Sequence, residues 1–416
     1  MENILERFES VVQSDVRTAP IVFDRASGSE VFDENSNRYI DFHAAGGSLS
    51  FGHNNKKVRS ALIDYLRNDR ILQTCDRAST AKRKFVEAFV TAILAPQKLN
   101  HKILFTDPAS GSAAEVALRI ARRHKKRANI VAFTNSSHGL TEGALSVTSK
   151  QPLRFESVGM RGHTVFMPYC DYFGPNLDTI VYLKRYLEDS ASGVDLPAAI
   201  IAETMQVHGG MQIASVQWLK GLEELCRRFG VLLIVDETHT GCGRTGGYFS
   251  FEQAGLNPDV VVASNAVAGG LPISILLLRP ELDHWQKGEQ IGIFQGNSLA
   301  FVAGAELVEL WTKGLFRDVE ERSKVLRETL TAAPALFPNR HLVVRGTGMN
   351  WALEFRRPGA ASLVSAWALE HGLLVEPARN RDDVLLVMPP ITIGETVLRE
   401  GLERLHHVVA MFLSHE

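Results

Sequence analysis

Apolar residues run along the middle of the chain in short continuous stretches separated by helical spacings. Residues 102–105 (KILF) predict a strand. Behind Ser110 and Ser112, the residues Ala113, Val116, Ala117, Ile120 and Ala121 return every three or four positions, the stripe of an amphipathic helix with a serine cap. Residues 130–133 (IVAF) and 198–202 (AAIIA) predict the next strands. Trp218, Leu219, Leu222, Leu225 and Cys226 mark a further helix that Gly230 can end, because glycine enters left-handed backbone without a side-chain clash. That helix feeds residues 231–235, all apolar, and then Asp236. A strand apolar on both faces belongs to a parallel sheet covered by helices on each side. Residues 260–263 and 273–278 continue the series.

The two ends read differently. Before about residue 55 and after about residue 310 the strands are shorter, residues 342–345 and 384–387 among them, with helices between. The expected fold class is therefore α/β: a mostly parallel central sheet in a large domain (56–309), with a smaller α+β domain built from both ends (1–55 and 310–416). The chain has 416 residues, of which 45% are hydrophobic, enough for a large core. Its formal charge is −2. The basic run at 122–127 (RRHKKR) falls at a helix end, where cations meet the negative pole of the helix dipole, so nucleic acid is not an expected partner. Cys75, Cys170, Cys226 and Cys242 have no metal-ligand spacing and predict no disulfide framework, and no metal site is expected. The first sixteen residues lack the basic-then-apolar order of a signal peptide, and no apolar run reaches membrane-spanning length; the expectation is a cytoplasmic protein with no membrane partner.

Candidate chemistry lies beyond the carboxyl ends of the strands, where open α/β sheets bind ligands. Residues 108–112 (PASGS) join a strand to a helix whose free N–H groups can attract a phosphate, although any capped helix start looks alike. Asp236 tips a buried strand, which is costly unless the carboxylate is paired; a protonated pyridine nitrogen or a loop cap would each serve. Ser264 and Asn265 lie between a strand and a glycine turn.

The segments FHAAGGSLSFGHNN (42–55), SGSAAEVALRIAR (110–122), HGLTEGALSVT (138–148), VDETHTGCGRTGGYFSFEQAGLNPDVV (235–261) and GGLPIS (269–274), taken together, resemble the class III aminotransferases, fold type I, in their ornithine and diaminobutyrate branch. The resemblance covers nearly the whole chain. It implies pyridoxal phosphate at the interface of a homodimer, with Ser110, Gly111 and Ser112 on the phosphate, Asp236 on the ring nitrogen, and Glu203 and the residue at 137 near the ring.

Departures from that family concentrate in the site. The motif Ser-Lys-x-x-x-Gly-Gly-Leu-Pro reads Ser264-Asn265-Ala-Val-Ala-Gly-Gly-Leu-Pro272, so Asn265 stands where the family keeps the lysine that bonds the cofactor and moves the proton. An amide is neither basic nor nucleophilic enough for either task. The usual ring-stacking aromatic is Ser137, the usual glutamine is His239, a glutamate is His208, the threonine that reaches the neighbouring subunit's phosphate is Ile293, and a basic residue before Pro-Pro is Leu386. So many changes around one pocket fit natural divergence better than one engineered substitution.

The first functional expectation is a lysine-independent reaction on an amino-acid- or amine-derived metabolite. It would run without cofactor or with pyridoxal or pyridoxamine phosphate held non-covalently. His239, His138, His208, Glu203 and Asn265 would be its catalytic residues, and Ser110, Gly111, Ser112, Ser137 and Asp236 its cofactor contacts. The alternatives are a diaminobutyrate–2-oxoglutarate-type aminotransferase inactivated by Asn265, and a non-catalytic partner subunit of an active aminotransferase.

Overall fold

In the computed structural model, residues 4–10, 21–74, 77–150, 163–286, 288–289, 292, 294–338 and 340–415 are described. Cys75 and Ile293 lie outside the described residues, as do the side chains of Ser110 and Asn265. Near the start of the chain, β1 (Phe23–Ser27), β2 (Glu30–Asp33) and β3 (Arg38–Asp41) form an antiparallel meander. The central sheet takes β4 (Lys102–Thr106), β5 (Ile130–Phe133), β6 (Thr164–Met167), β7 (Ala199–Glu203), β10 (Leu232–Asp236), β11 (Val260–Ser264) and β12 (Ser274–Leu278). Between β7 and β10, the two-residue strands β8 (Met205–Gln206) and β9 (Gln212–Ile213) pair as a separate ribbon. Later in the chain come β13 (Val343–Thr347), β14 (Asn350–Glu354), β15 (Leu373–Leu374), β16 (Glu376–Ala378) and β17 (Arg381–Val387).

The central order is β4-β12-β11-β10-β7-β5-β6, and β12 alone of these seven runs antiparallel to its neighbours. Both faces are buried because the apolar strands alternate between two cores. Leu232 and Ile234 join Ile201, Val260, Val262 and Leu276 beneath the helix Ser110–Lys125. Leu233 and Val235 join Ile200, Val261 and Ile275 on the other side, with Trp218 and Leu222 of the helix Val216–Phe229. Each such side chain removed from water is worth roughly 1.5–3 kcal/mol. Gly230 ends that second helix in left-handed backbone at φ 61°, as its sequence position predicts. The expected serine cap on the first helix is not found: Ala109 is the N-cap and gives no side-chain hydrogen bond.

The two chain ends meet in one sheet. Strand β15 runs parallel to β3, giving the order β1-β2-β3-β15. Strands β13, β14, β17 and β16 make a further antiparallel sheet. No helix among the described residues is long and apolar enough to cross a membrane. Cys170, Cys226 and Cys242 are free thiols.

Candidate active site

Parallel pairing of β7 with β10 sets Glu203 directly opposite Asp236 at the carboxyl edge of the sheet. Both are buried, at 4% exposure each, so two carboxylates side by side could not both stay charged without compensation. The protein separates their ionisation. Burial pushes Asp236 up, but His138 Nδ1 donating to Oδ2 at 2.7 Å and Thr238 donating twice to Oδ1 (N–H 3.0 Å, hydroxyl 2.6 Å) hold it below the usual carboxylate range. Glu203 is raised well above its usual value by burial and then by the Asp236 charge, which outweigh the Ser137 N–H donating to it at 3.1 Å. Of the pair, Asp236 is therefore the one that holds the charge more readily and Glu203 the one that holds a proton more readily.

The turn 107–109 ends β4 and opens the helix Ser110–Lys125 with no side-chain cap on its first turn. The segment His138–Thr141 crosses close over that start: a Cβ on Gly139 would come 2.4 Å from Gly111 Cα, and Gly139 sits at φ +124°. Thr141 Oγ1, which a Cβ on Gly111 would approach to 3.3 Å, is buried and has no partner. An uncapped helix start beside an orphaned hydroxyl is a fitting place for an anion.

In front of these groups lies a cavity of about 280 Å³, lined among others by His43, Ser137, His138, His208, His239 and Arg379. His239 and His208 meet edge to face, 4.6 Å between ring centres. His239 Nδ1 donates to the Gly46 carbonyl at 2.9 Å; a carbonyl can only accept, so Nδ1 carries the proton and Nε2 is the bare acceptor. Burial depresses His239, more than the Gly46 bond and Asp236 charge restore. Burial also depresses His43 and, further, His208, where the neighbouring imidazoles, Arg379 and Lys150 add to the effect. Burial thus favours the neutral form of His43, His208 and His239. Among the described residues, no group of three His, Cys, Asp or Glu side chains could hold a metal ion.

The structure brings Ser137, His138, His208 and His239 to one cavity and sets Glu203 and Asp236 immediately behind it. Gly111 and Ser112 stand at the helix start. Position 265 follows β11 on the same edge of the sheet, opening a short 3-10 turn, Asn265–Ala268. Leu386 points away from the cavity into an apolar cluster with Met205, Val207 and Met388. Sequence reasoning missed His43, Arg379 and Thr141. His43 and Thr141 lie within the quoted family segments, while Arg379 sits in the β16–β17 turn, outside every one of them.

These residues fit pyridoxal phosphate at two ends and not at the third. The uncapped helix start and the orphaned Thr141 hydroxyl suit the phosphate. Asp236 Oδ2 accepts a single protein bond and has a lone pair left for a protonated ring nitrogen. Nothing at residue 265 can form a covalent link.

Residues 11–409 match the family model described as aminotransferase class-III. A diaminobutyrate–2-oxoglutarate transaminase of Wolinella succinogenes is 46% identical over 400 residues, covering 96% of this chain and 94% of its own. An uncharacterized aminotransferase of Sinorhizobium fredii is 43% identical over 408 residues, covering 97% and 91%. Among solved structures, the ornithine aminotransferase of Toxoplasma gondii superposes with a TM-score of 0.86 at 24% identity, over 99% of this chain and 95% of that one, a likeness of fold.

Proposed function

Because the chain belongs to the class III aminotransferases, we propose that it is a diaminobutyrate-type member whose pocket holds pyridoxal phosphate by contacts alone. The observation that carries this reading is a phosphate and ring-nitrogen frame kept around Asn265, an amide where the family has its amine. The names of the relatives favour this over a wholly repurposed reaction. When bound, the cofactor supplies an electron sink for bonds at an amino-acid α-carbon. The chain's own contributions follow from its atoms. Ionised Asp236, steadied by His138 and Thr238, keeps a ring nitrogen protonated. The first-turn N–H groups at Gly111 and Ser112, with the Thr141 hydroxyl, take the phosphate. By family resemblance the working unit is a homodimer.

A second reading rests on His239, a residue of the cavity wall whose bare Nε2 can accept a proton that the amide at residue 265 cannot take. One experiment separates the readings. Purified protein and Asn265→Lys are titrated with pyridoxal phosphate, followed by absorbance and by intact mass after borohydride. The expected result is non-covalent binding by the parent chain. Asn265→Lys should instead gain one reduced cofactor and transaminate 2,4-diaminobutyrate with 2-oxoglutarate. A borohydride-trapped adduct on the parent chain sinks the proposal, as does a folded Asn265→Lys variant that takes no cofactor. Exchange of the substrate α-proton by the parent chain, lost in His239→Gln, would give the second reading precedence.

A further inference from the structure

A site for amino or oxo acids needs a cation for the substrate carboxylate, and the position where the resemblance expects one, Leu386, is apolar and buried at 0% exposure. The β16–β17 turn supplies a different cation. Arg379 lines the cavity beside His208 and His239, and among the described residues no hydrogen bond or ion pair engages its guanidinium. Its neighbours on the same sheet are not free in this way. Arg345 bridges Glu354 at 2.6 Å, and Arg381 bridges Asp383 at 2.8 Å and Glu354 at 3.3 Å.

The turn is held against the cavity wall. Asn380 N–H donates to the His208 carbonyl at 3.0 Å, and the Asn380 amide reaches the Asn135 carbonyl at 3.4 Å. The Lys150 ammonium donates to the Arg379 carbonyl, fixing the turn and adding a second positive charge. None of the described residues lining this cavity carries a carboxyl group. The glutamate that the resemblance expects at 208 is an imidazole, 92% buried, and its Nδ1 has no partner. Among the described residues the cavity therefore has a guanidinium without a partner, an unsatisfied imidazole nitrogen and a nearby ammonium, while the nearest carboxylate, Asp236 behind the wall, is already engaged by His138 and Thr238. Such a set is built to receive an anion from outside the chain.

We propose that Arg379 is the carboxylate-binding residue of this site, and that it selects amino and oxo acids through a bidentate contact which the apolar Leu386 cannot make. This rests on the reading of the cavity as the substrate site of an aminotransferase-type pocket. Loss of the expected basic residue at 386 and of the expected acid at 208 is one change seen twice: the anion site has moved to the β16–β17 turn, and the side chain that would have neutralised it there has gone.

The test is calorimetric titration with glutarate, an unreactive dicarboxylate, on the parent chain, Arg379→Gln and Arg379→Lys, with and without pyridoxal phosphate. Arg379 is exposed in a turn, and an unchanged melting temperature confirms that each variant folds. We expect Arg379→Gln to weaken glutarate at least ten-fold, equivalent to about 1.4 kcal/mol. Arg379→Lys should recover part of the loss, because a point charge replaces a planar fork. Affinity for pyridoxal phosphate should stay the same. Equal glutarate binding by parent and Arg379→Gln overturns the inference. So does a parent chain that binds pyridoxal phosphate but no glutarate, and so does inorganic phosphate competing with glutarate while Arg379→Gln loses the cofactor, which would give Arg379 to the cofactor phosphate. Arg379-dependent glutarate binding in a chain that takes up no pyridoxal phosphate leaves this inference standing and defeats the cofactor reading.

Discussion

At the residue scale, three neighbouring carboxyl groups show how surroundings set charge. Asp236 is pushed toward its charged form and Glu203 toward its neutral one for the reasons of pairing given above. Glu237, the next residue along, is pushed up to about 7 by burial, which outweighs the bonds from Ser250 (2.6 Å), Thr240 (2.6 Å) and the Phe251 N–H (3.1 Å). An acid whose folded value is raised favours the folded state below its ordinary value near 4.5, and that advantage is lost as pH climbs through about 7. Glu237→Gln keeps the shape and removes the titration, since the Thr240 hydroxyl can turn from donor to acceptor. Denaturant unfolding should show the variant equal to the parent at about pH 4 and more stable at about pH 8, by on the order of 3 kcal/mol. A difference that does not change with pH would remove Glu237 as the titrating group. The sequence singled out Asp236 at the strand tip, but the opposite shifts of Asp236 and Glu237 were not legible in VDETH; only the tertiary partners set them.

At the element scale, the strands declared themselves because Leu232–Asp236 is apolar at every position before its carboxylate, and both faces of the sheet are indeed covered. The reversed direction of β12 was not visible, since residues 273–278 carry the same apolar run whichever way they pair. The helix start misled in a useful way. Ser110 and Ser112 look like caps, yet Ala109 holds that place, and the first turn is left open to a ligand. Its shape depends on Gly139, where a methyl group would meet Gly111 backbone rather than a yielding side chain. Gly139→Ala should lower the melting temperature and weaken pyridoxal phosphate at least ten-fold, with strain of about 1–3 kcal/mol from the backbone alone. Gly193→Ala, at φ +76° with nothing within 4 Å of its Cβ, carries backbone strain only and should leave the affinity intact. Equal cofactor affinity in parent and Gly139→Ala would show that this crossing does not shape the phosphate turn.

At the scale of the whole molecule, Arg244 fastens the segments that come from far apart in sequence. It is buried at 1% exposure and donates to Asn350 Oδ1 (2.6 Å), Ser50 Oγ (3.3 Å) and the carbonyls of Met349 and Pro389 (both 3.2 Å). Among the described residues no carboxylate bonds it, and burial brings the guanidinium down to about 10, still charged at neutral pH. Asn350 in turn donates to the His239 carbonyl at 3.1 Å, so the same fastening steadies the cavity wall. Arg244→Met would leave those acceptors buried and unmet. Urea unfolding should register a loss of roughly 3–5 kcal/mol. A loss under about 1 kcal/mol, within the range of ordinary surface substitutions and solvent-tolerant contacts, would contradict this role.

The sequence by itself determined the family, the α/β class, the burial of the sheet on both faces and the absence of an amine at residue 265. The family follows from the resemblance of whole segments, and the rest from local order, apolar runs and the identity of single residues, none of which needs a partner to be read. The tertiary structure alone decided which of the acids is pushed toward its charged form, which imidazole nitrogen is bare, and that Arg379 has no partner among the described residues while Arg345 and Arg381 are paired. Charge state and availability depend on what lies within a few ångströms, and those neighbours come from β7, the 135–141 segment and the β16–β17 turn, up to about two hundred and forty residues apart along the chain.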